Sequence, residues 1–236
     1  MLRYVLPFLM LAGPAVANDE REAFVEANLL GIFYHELGHA LIDILALPVF
    51  GQEEDAADVA SVLLIDGFYE EDAAQALAYD TAFGFLAEAD FAGDVTYWDV
   101  HGPDEQRFYN TVCLFYGGNP DAREDFAIDL GLPEERAETC PEEFQLALDS
   151  WGPAFDEITG RGNSILFEDG GHNLLTTDVM AAEVAALNDD FDLPVPLIVR
   201  VEACGEANAF YDLGTTEIIM CTEFEDHLRA LYDQFE

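Results

Sequence analysis

The sequence predicts an α+β protein that is mostly helical, with a small β-sheet or hairpin placed after the helices. Two patterns carry that expectation. Apolar residues recur at three- and four-residue steps over long stretches up to about residue 158. From about residue 159 the composition shifts to Gly-rich turns and β-branched runs. A third observation, the stretch His35-Glu36-Leu37-Gly38-His39, marks where chemistry sits on this frame.

The elements follow in order. Phe24, Leu30, Phe33, Leu37, Leu41 and Ile44 predict a helix over 19–46, ended by Leu47-Pro48. Residues 53–66 form a second helix with acids in its first turn, where the helix dipole favours them. A third spans 70–90, and a fourth starts near Pro103, a residue suited to an N-terminal turn. Short helices follow to about 158. A brief strand is expected at 164–168 and a helix at 177–190. "VPLIVRVEAC" then reads as a strand, and "ANAFYDLGTTEIIMC" as a hairpin split at Asp212-Leu213-Gly214. A helix over 222–235 closes the chain. A helical part, 18–158, and an α/β part, 159–236, together make one domain.

Residues 1–17 read as a secretory leader: Arg3, an apolar run, then Ala15-Val16-Ala17 ahead of cleavage before Asn18. The run is short and interrupted by Pro7 and Pro14, so no stable membrane insertion is expected after cleavage. The compartment implied is periplasmic or secreted. Four cysteines, Cys113, Cys140, Cys204 and Cys221, fit two disulfides there. Chain order favours pairing neighbours, with the other two connectivities open.

Eight basic residues face 49 acidic ones, for a net charge of −41. Such a surface repels nucleic acid and anionic lipid, so neither is an expected partner. A solvated acidic coat is the plain reading of the excess. "LNDDFDLP" and "FEDGG" do not match the spacing of an EF-hand calcium loop.

His35 and His39 are four apart, so on a helix both imidazoles reach one metal ion. Glu36 stands beside the first of them as a general base for water. This is the mechanical content of H-E-x-x-H, and zinc suits it. No third histidine follows at metzincin spacing. Glu54 and Asp58 lie four apart on the next helix, which offers Glu54 as third ligand and Asp58 as a partner to an imidazole N–H. Asp58 is also the competing ligand. Glu53 and Asp55 are read as dressing the helix N-terminus. Tyr211 and His101 are candidates for stabilising a transition state. Asp104, Arg107 and Asn110 read as a buried polar network.

The motifs "HELGHALIDILALPVFGQEEDAAD", "DEQRFYN", "LPEERAETCPEEF" and "CGEANAFYD…EIIMCTEF" resemble a family of bacterial proteins classed as metallopeptidases, over most of the chain beyond residue 18. "EDAAD" is similar to the Glu-x-x-x-Asp of gluzincins, and "NAFYD" to their edge-strand hairpin. The resemblance implies a zincin-like fold, a Zn2+ site, a peptide or protein substrate, and a circularly permuted core, because the hairpin follows the histidine helix. A catalytically silent zincin-like scaffold that binds a cell-envelope protein is the alternative. An open coordination position beside an accessible cleft separates the two.

Overall fold

The computed structural model describes residues 16–92 and 95–235. All but the last two residues of the expected leader lie outside them. The chain is α+β: the described residues form nine helices and a four-stranded sheet.

The first helix, α1 (Val16–Ile44), is the axis of the fold. Phe24, Val25, Leu29, Phe33, Tyr34, Leu37 and Leu41 are all buried, so the helix is enclosed rather than lying on one face. It packs against α2 (Glu53–Phe68) and α3 (Glu71–Ala92) on the helical side. On the other side it meets α8 (Leu175–Asp190), α9 (Thr222–Tyr232) and the sheet. It ends through Ala46, whose φ of 50° is left-handed; Leu47 N–H reaches back to Ile42 O and Pro48 follows.

α4 (Asp104–Gly118) lies across α2 and α3. Two short helices, α5 (Glu124–Asp129) and α6 (Glu134–Ala137), lead to α7 (Cys140–Ile158). The sequence predicts only short helices between α4 and residue 158, but α7 runs for 19 residues through Pro153. A proline removes one backbone donor. Burial of Phe144, Trp151, Ala154 and Ile158 on one side holds the helix across that gap. Cys113 bonds Cys140, tying α4 to the start of α7, and Cys204 bonds Cys221. Two such bonds fit an oxidising compartment.

The strands are β1 (Ile165–Glu168), β2 (Leu197–Glu202), β3 (Ala209–Asp212) and β4 (Glu217–Cys221), in the spatial order β1-β2-β4-β3. β1, β2 and β4 are parallel, and β3 is antiparallel to β4. The hairpin therefore enters the sheet by its second strand, and β3 is left at the edge, beside α1. Leu197, Val199 and Val201 of β2 point into the core. On the outer face Arg200 bridges Glu168 and Glu217 at 2.8 and 3.0 Å. Core side chains from both parts of the chain form one hydrophobic cluster. Among the described residues no helix is long and apolar enough to cross a membrane.

Candidate metal centre

The site forms where α1 and α2 touch. Gly38, inside the histidine motif, makes the contact close. A Cβ there would sit 3.0 Å from the Ala57 Cα and 3.2 Å from the Ala57 carbonyl oxygen. Backbone cannot give way as a side-chain tip can, so any larger residue would push the helices apart. With glycine in place, the first turns of α2 lie against the two histidines.

His35 Nε2 and His39 Nε2 stand 3.2 Å apart. Glu54 Oε2 is 3.2 Å from the first and 3.1 Å from the second. The ligand atoms of these three residues all lie within 4.8 Å of one another. Ligands at about 2.0–2.2 Å from a tetrahedral ion are spaced roughly 3.3–3.6 Å from each other. The trio fits a metal ion with only a small outward adjustment.

The far nitrogens of both rings are held by carboxylates. His35 Nδ1 is 2.7 Å from Asp58 Oδ1, and His39 Nδ1 is 2.8 Å from Glu53 Oε1. A proton at each Nδ1 leaves each Nε2 lone pair facing the site, the arrangement that metal-bound imidazoles use. Glu53, read from sequence as helix dressing, is thus a partner of His39. Its position in the first turn of α2 concealed that role, because acids there need no further explanation. Asp58 is a partner of His35 and stands outside the trio.

Arg107 from α4 grips Asp58 with two hydrogen bonds, Nε to Oδ2 at 2.9 Å and Nη2 to Oδ1 at 2.8 Å. Its guanidinium also lies 4.2 Å over the Phe85 ring. Asp104 is 3.7 Å from Arg107, so those two share a network centred on Asp58, whereas Asn110, expected in it, is exposed. His101, half exposed on the loop before α4, places Nε2 2.9 Å from Glu54 Oε2. The Tyr211 hydroxyl donates to Asp43 Oδ2 at 2.7 Å, one helical turn past His39.

These contacts set the charges of the groups in the site. Burial disfavours a charged His35, but hydrogen bonds to Asp58 and Glu54 outweigh it and raise its pKa to about 9. His39 is raised in the same way, against burial, by Glu54 and Glu53. Hydrogen bonds from His101, His35 and His39 hold Glu54 far below the usual carboxylate range. Burial pushes Asp58 up, but Arg107 and His35 hold it well below its ordinary value. Burial raises Glu36, with the nearby histidines pulling the other way; the Tyr211 backbone N–H also favours its charged form. A buried base beside two imidazoles and a carboxylate is a set that can hold a cation and accept a proton.

No curated protein and no solved structure matches the chain. The model of a family described as "Putative metallopeptidase" matches residues 12–153 and 168–236, which takes in every residue of the site. The chain belongs to that family.

Proposed function

We propose that the chain is a zinc-dependent peptidase of zincin type with a circularly permuted core, acting in the periplasm or outside the cell. The observation that carries this reading is the convergence of His35 Nε2, His39 Nε2 and Glu54 Oε2, with Glu36 beside them. Two imidazoles and one carboxylate are a set that catalytic zinc uses, and they leave a fourth position free. Bound there, zinc supplies Lewis-acid chemistry, making water acidic near neutral pH and polarising a carbonyl.

The chain's own residues do the rest. Asp58 and Glu53 orient the two imidazoles through their Nδ1 protons. The Glu36 carboxylate accepts a proton from water and passes it to the leaving amine. Burial raises its affinity for that proton, as a general base needs. His101, already within hydrogen-bond reach of Glu54, is a side chain that can stabilise developing negative charge. Tyr211 serves through the edge strand β3, whose backbone N–H at Tyr211 reaches Glu36 and whose edge position suits an extended peptide lying alongside. The two disulfides support the compartment.

The test is metal analysis joined to peptide cleavage. Purified protein should hold about one zinc per chain. Glu36→Gln should keep that zinc and lose roughly 10²–10⁴-fold in turnover. A chain without zinc after metal-replete purification would sink the reading. A chain that binds zinc yet cleaves nothing, with Glu36→Gln indistinguishable, would favour a silent scaffold.

A further inference from the structure

Two loops adjoin Glu54, one in sequence and one through His101, and both display aromatic side chains to solvent. The loop between α1 and α2 carries Phe50, 98% exposed, three residues before Glu53. The loop between α3 and α4 carries Tyr97 and Trp98, 82% and 86% exposed, just ahead of His101. That second loop is anchored at the site: His101 meets Glu54, and Gly102 lies beside the Asp55 carboxylate. Large aromatic surface left in water next to the residues of a site marks a contact surface more often than it marks folding.

The charge pattern says what the contact takes. No lysine or arginine occurs between Arg21 and Arg107. Both loops, and α1 to α3 past Arg21, therefore carry only negative formal charges, histidines aside. Glu53, Asp55 and Asp99 are exposed within the two loops and the first turn of α2. Aromatic faces attract cations, and an anionic rim strengthens that attraction. The same rim repels acidic chains. It also disfavours an anionic membrane, the other surface that exposed Trp and Tyr suit.

We propose that the site takes an extended polypeptide segment carrying lysine or arginine close to the bond placed at Glu36, with Phe50, Tyr97 and Trp98 receiving its side chains. This rests on the peptidase reading and names its substrate class. The preference comes from two additive terms, cation–π contact and the rim's field, so it weakens as salt rises.

The experiment separates binding from turnover. The chain has two tryptophans, and Trp151 is buried, so a change in fluorescence on adding ligand reports chiefly on Trp98. Full-length Glu36→Gln is titrated with three peptides that differ only in having Lys, Gln or Glu at the same positions, and with neutral phosphatidylcholine vesicles. The Lys peptide should bind at least about tenfold more tightly than the Gln peptide at low salt, and the gap should close by 0.5 M salt. The Glu peptide and the vesicles should leave the fluorescence unchanged. By calorimetry, Trp98→Ala and Phe50→Ala should each weaken the Lys peptide about three- to tenfold. Equal binding of the Lys and Gln peptides, or no binding of either, overturns the proposal; so does a response to vesicles alone. A zinc-free protein would instead sink the peptidase reading, whatever the peptides do.

Discussion

Tyr34 and His35 are neighbours on α1, yet they enter two different buried polar clusters. His35 meets Asp58, Glu54 and His39 on the α2 side. Tyr34 turns toward α8, where it and Tyr69 both hydrogen-bond the Glu183 carboxylate. Each cluster is built round a buried carboxyl group. Asp58 is paired with Arg107 and His35 and held below its ordinary pKa, so it stays an anion. Glu183 has only two hydroxyl donors; burial raises its pKa, with the hydrogen bonds from Tyr34 and Tyr69 opposing. The lesson is that a buried charge survives where an opposite charge meets it, and is discouraged where only dipoles do. One cluster also turns three ligand atoms toward a common point, while the hydroxyl donors of the other converge on its carboxylate.

Removing the cation should break the contrast most severely. Arg107→Met would strand Asp58 as a buried anion next to His35. Breaking a buried pair on one side costs about 3–5 kcal/mol. Glu183→Gln keeps two hydroxyl partners and should cost under about 1 kcal/mol. Chemical denaturation of both variants reads the difference; comparable losses would mean that the two carboxyl groups are held alike.

Next in size is the effect on metal affinity, measured by competition with a chelator. Glu54→Gln should weaken zinc binding most, because it removes a ligand. Asp58→Asn should cost about 10–100-fold through the orientation of His35. Glu53 does the same for His39 but its side chain is about half exposed, so Glu53→Gln should cost less than tenfold. Glu183→Gln should not move the affinity at all. A larger loss for Asp58→Asn than for Glu54→Gln would reassign the ligand.

The pH dependence sharpens the comparison further, since the two buried carboxyl groups titrate in opposite senses. Asp58 has a lowered folded pKa, so its contribution is present above its ordinary value of 3.8 and is lost as the pH falls through the folded one. Glu183 has a raised folded pKa. Its contribution is therefore full below the ordinary 4.5 and lost as the pH rises through the folded value. His35 behaves like Glu183 in sign: full below 6.5, lost as the pH rises through about 9. In metal-free protein, Asp58→Asn should flatten the acid limb of the stability curve, and Glu183→Gln should flatten the rise toward mildly acid pH. Zinc binding must displace the His35 proton, so apparent zinc affinity should climb from pH 6.5 to about 9. Affinity that levels off by pH 6.5 would contradict this account.

The smallest effect belongs to Tyr34→Phe. It removes one donor to Glu183 and should cost about 0.5–1.5 kcal/mol in thermal or chemical unfolding. Zinc affinity should stay at the wild-type value, although residue 34 adjoins a ligand. A change in affinity would show that the two clusters communicate through α1.

Local patterns in the sequence were sufficient for much of this protein. Apolar periodicity placed α1, acids in its own first turn marked α2, and Pro103 marked the start of α4, each within a few residues of where it lies, because these signals belong to single helices. The β-branched runs placed β2, β3 and β4 for the corresponding reason. The spacing of His35, Glu36 and His39 is likewise a local matter, since one helical turn sets it. Tertiary structure decided what depends on contacts between elements. It put β4 between β2 and β3, because a hairpin's own pattern does not say which of its strands joins the older sheet. It let Gly38 bring α2 against α1, and so set Glu54 between two imidazoles. It gave Glu53 to His39 and Arg107 to Asp58, pairings across 14 and 49 residues of chain. It turned the Tyr211 hydroxyl onto Asp43. An acidic side chain at a helix N-terminus looks the same in sequence whether it meets water or an imidazole; only the packing of the partner helix distinguishes the two.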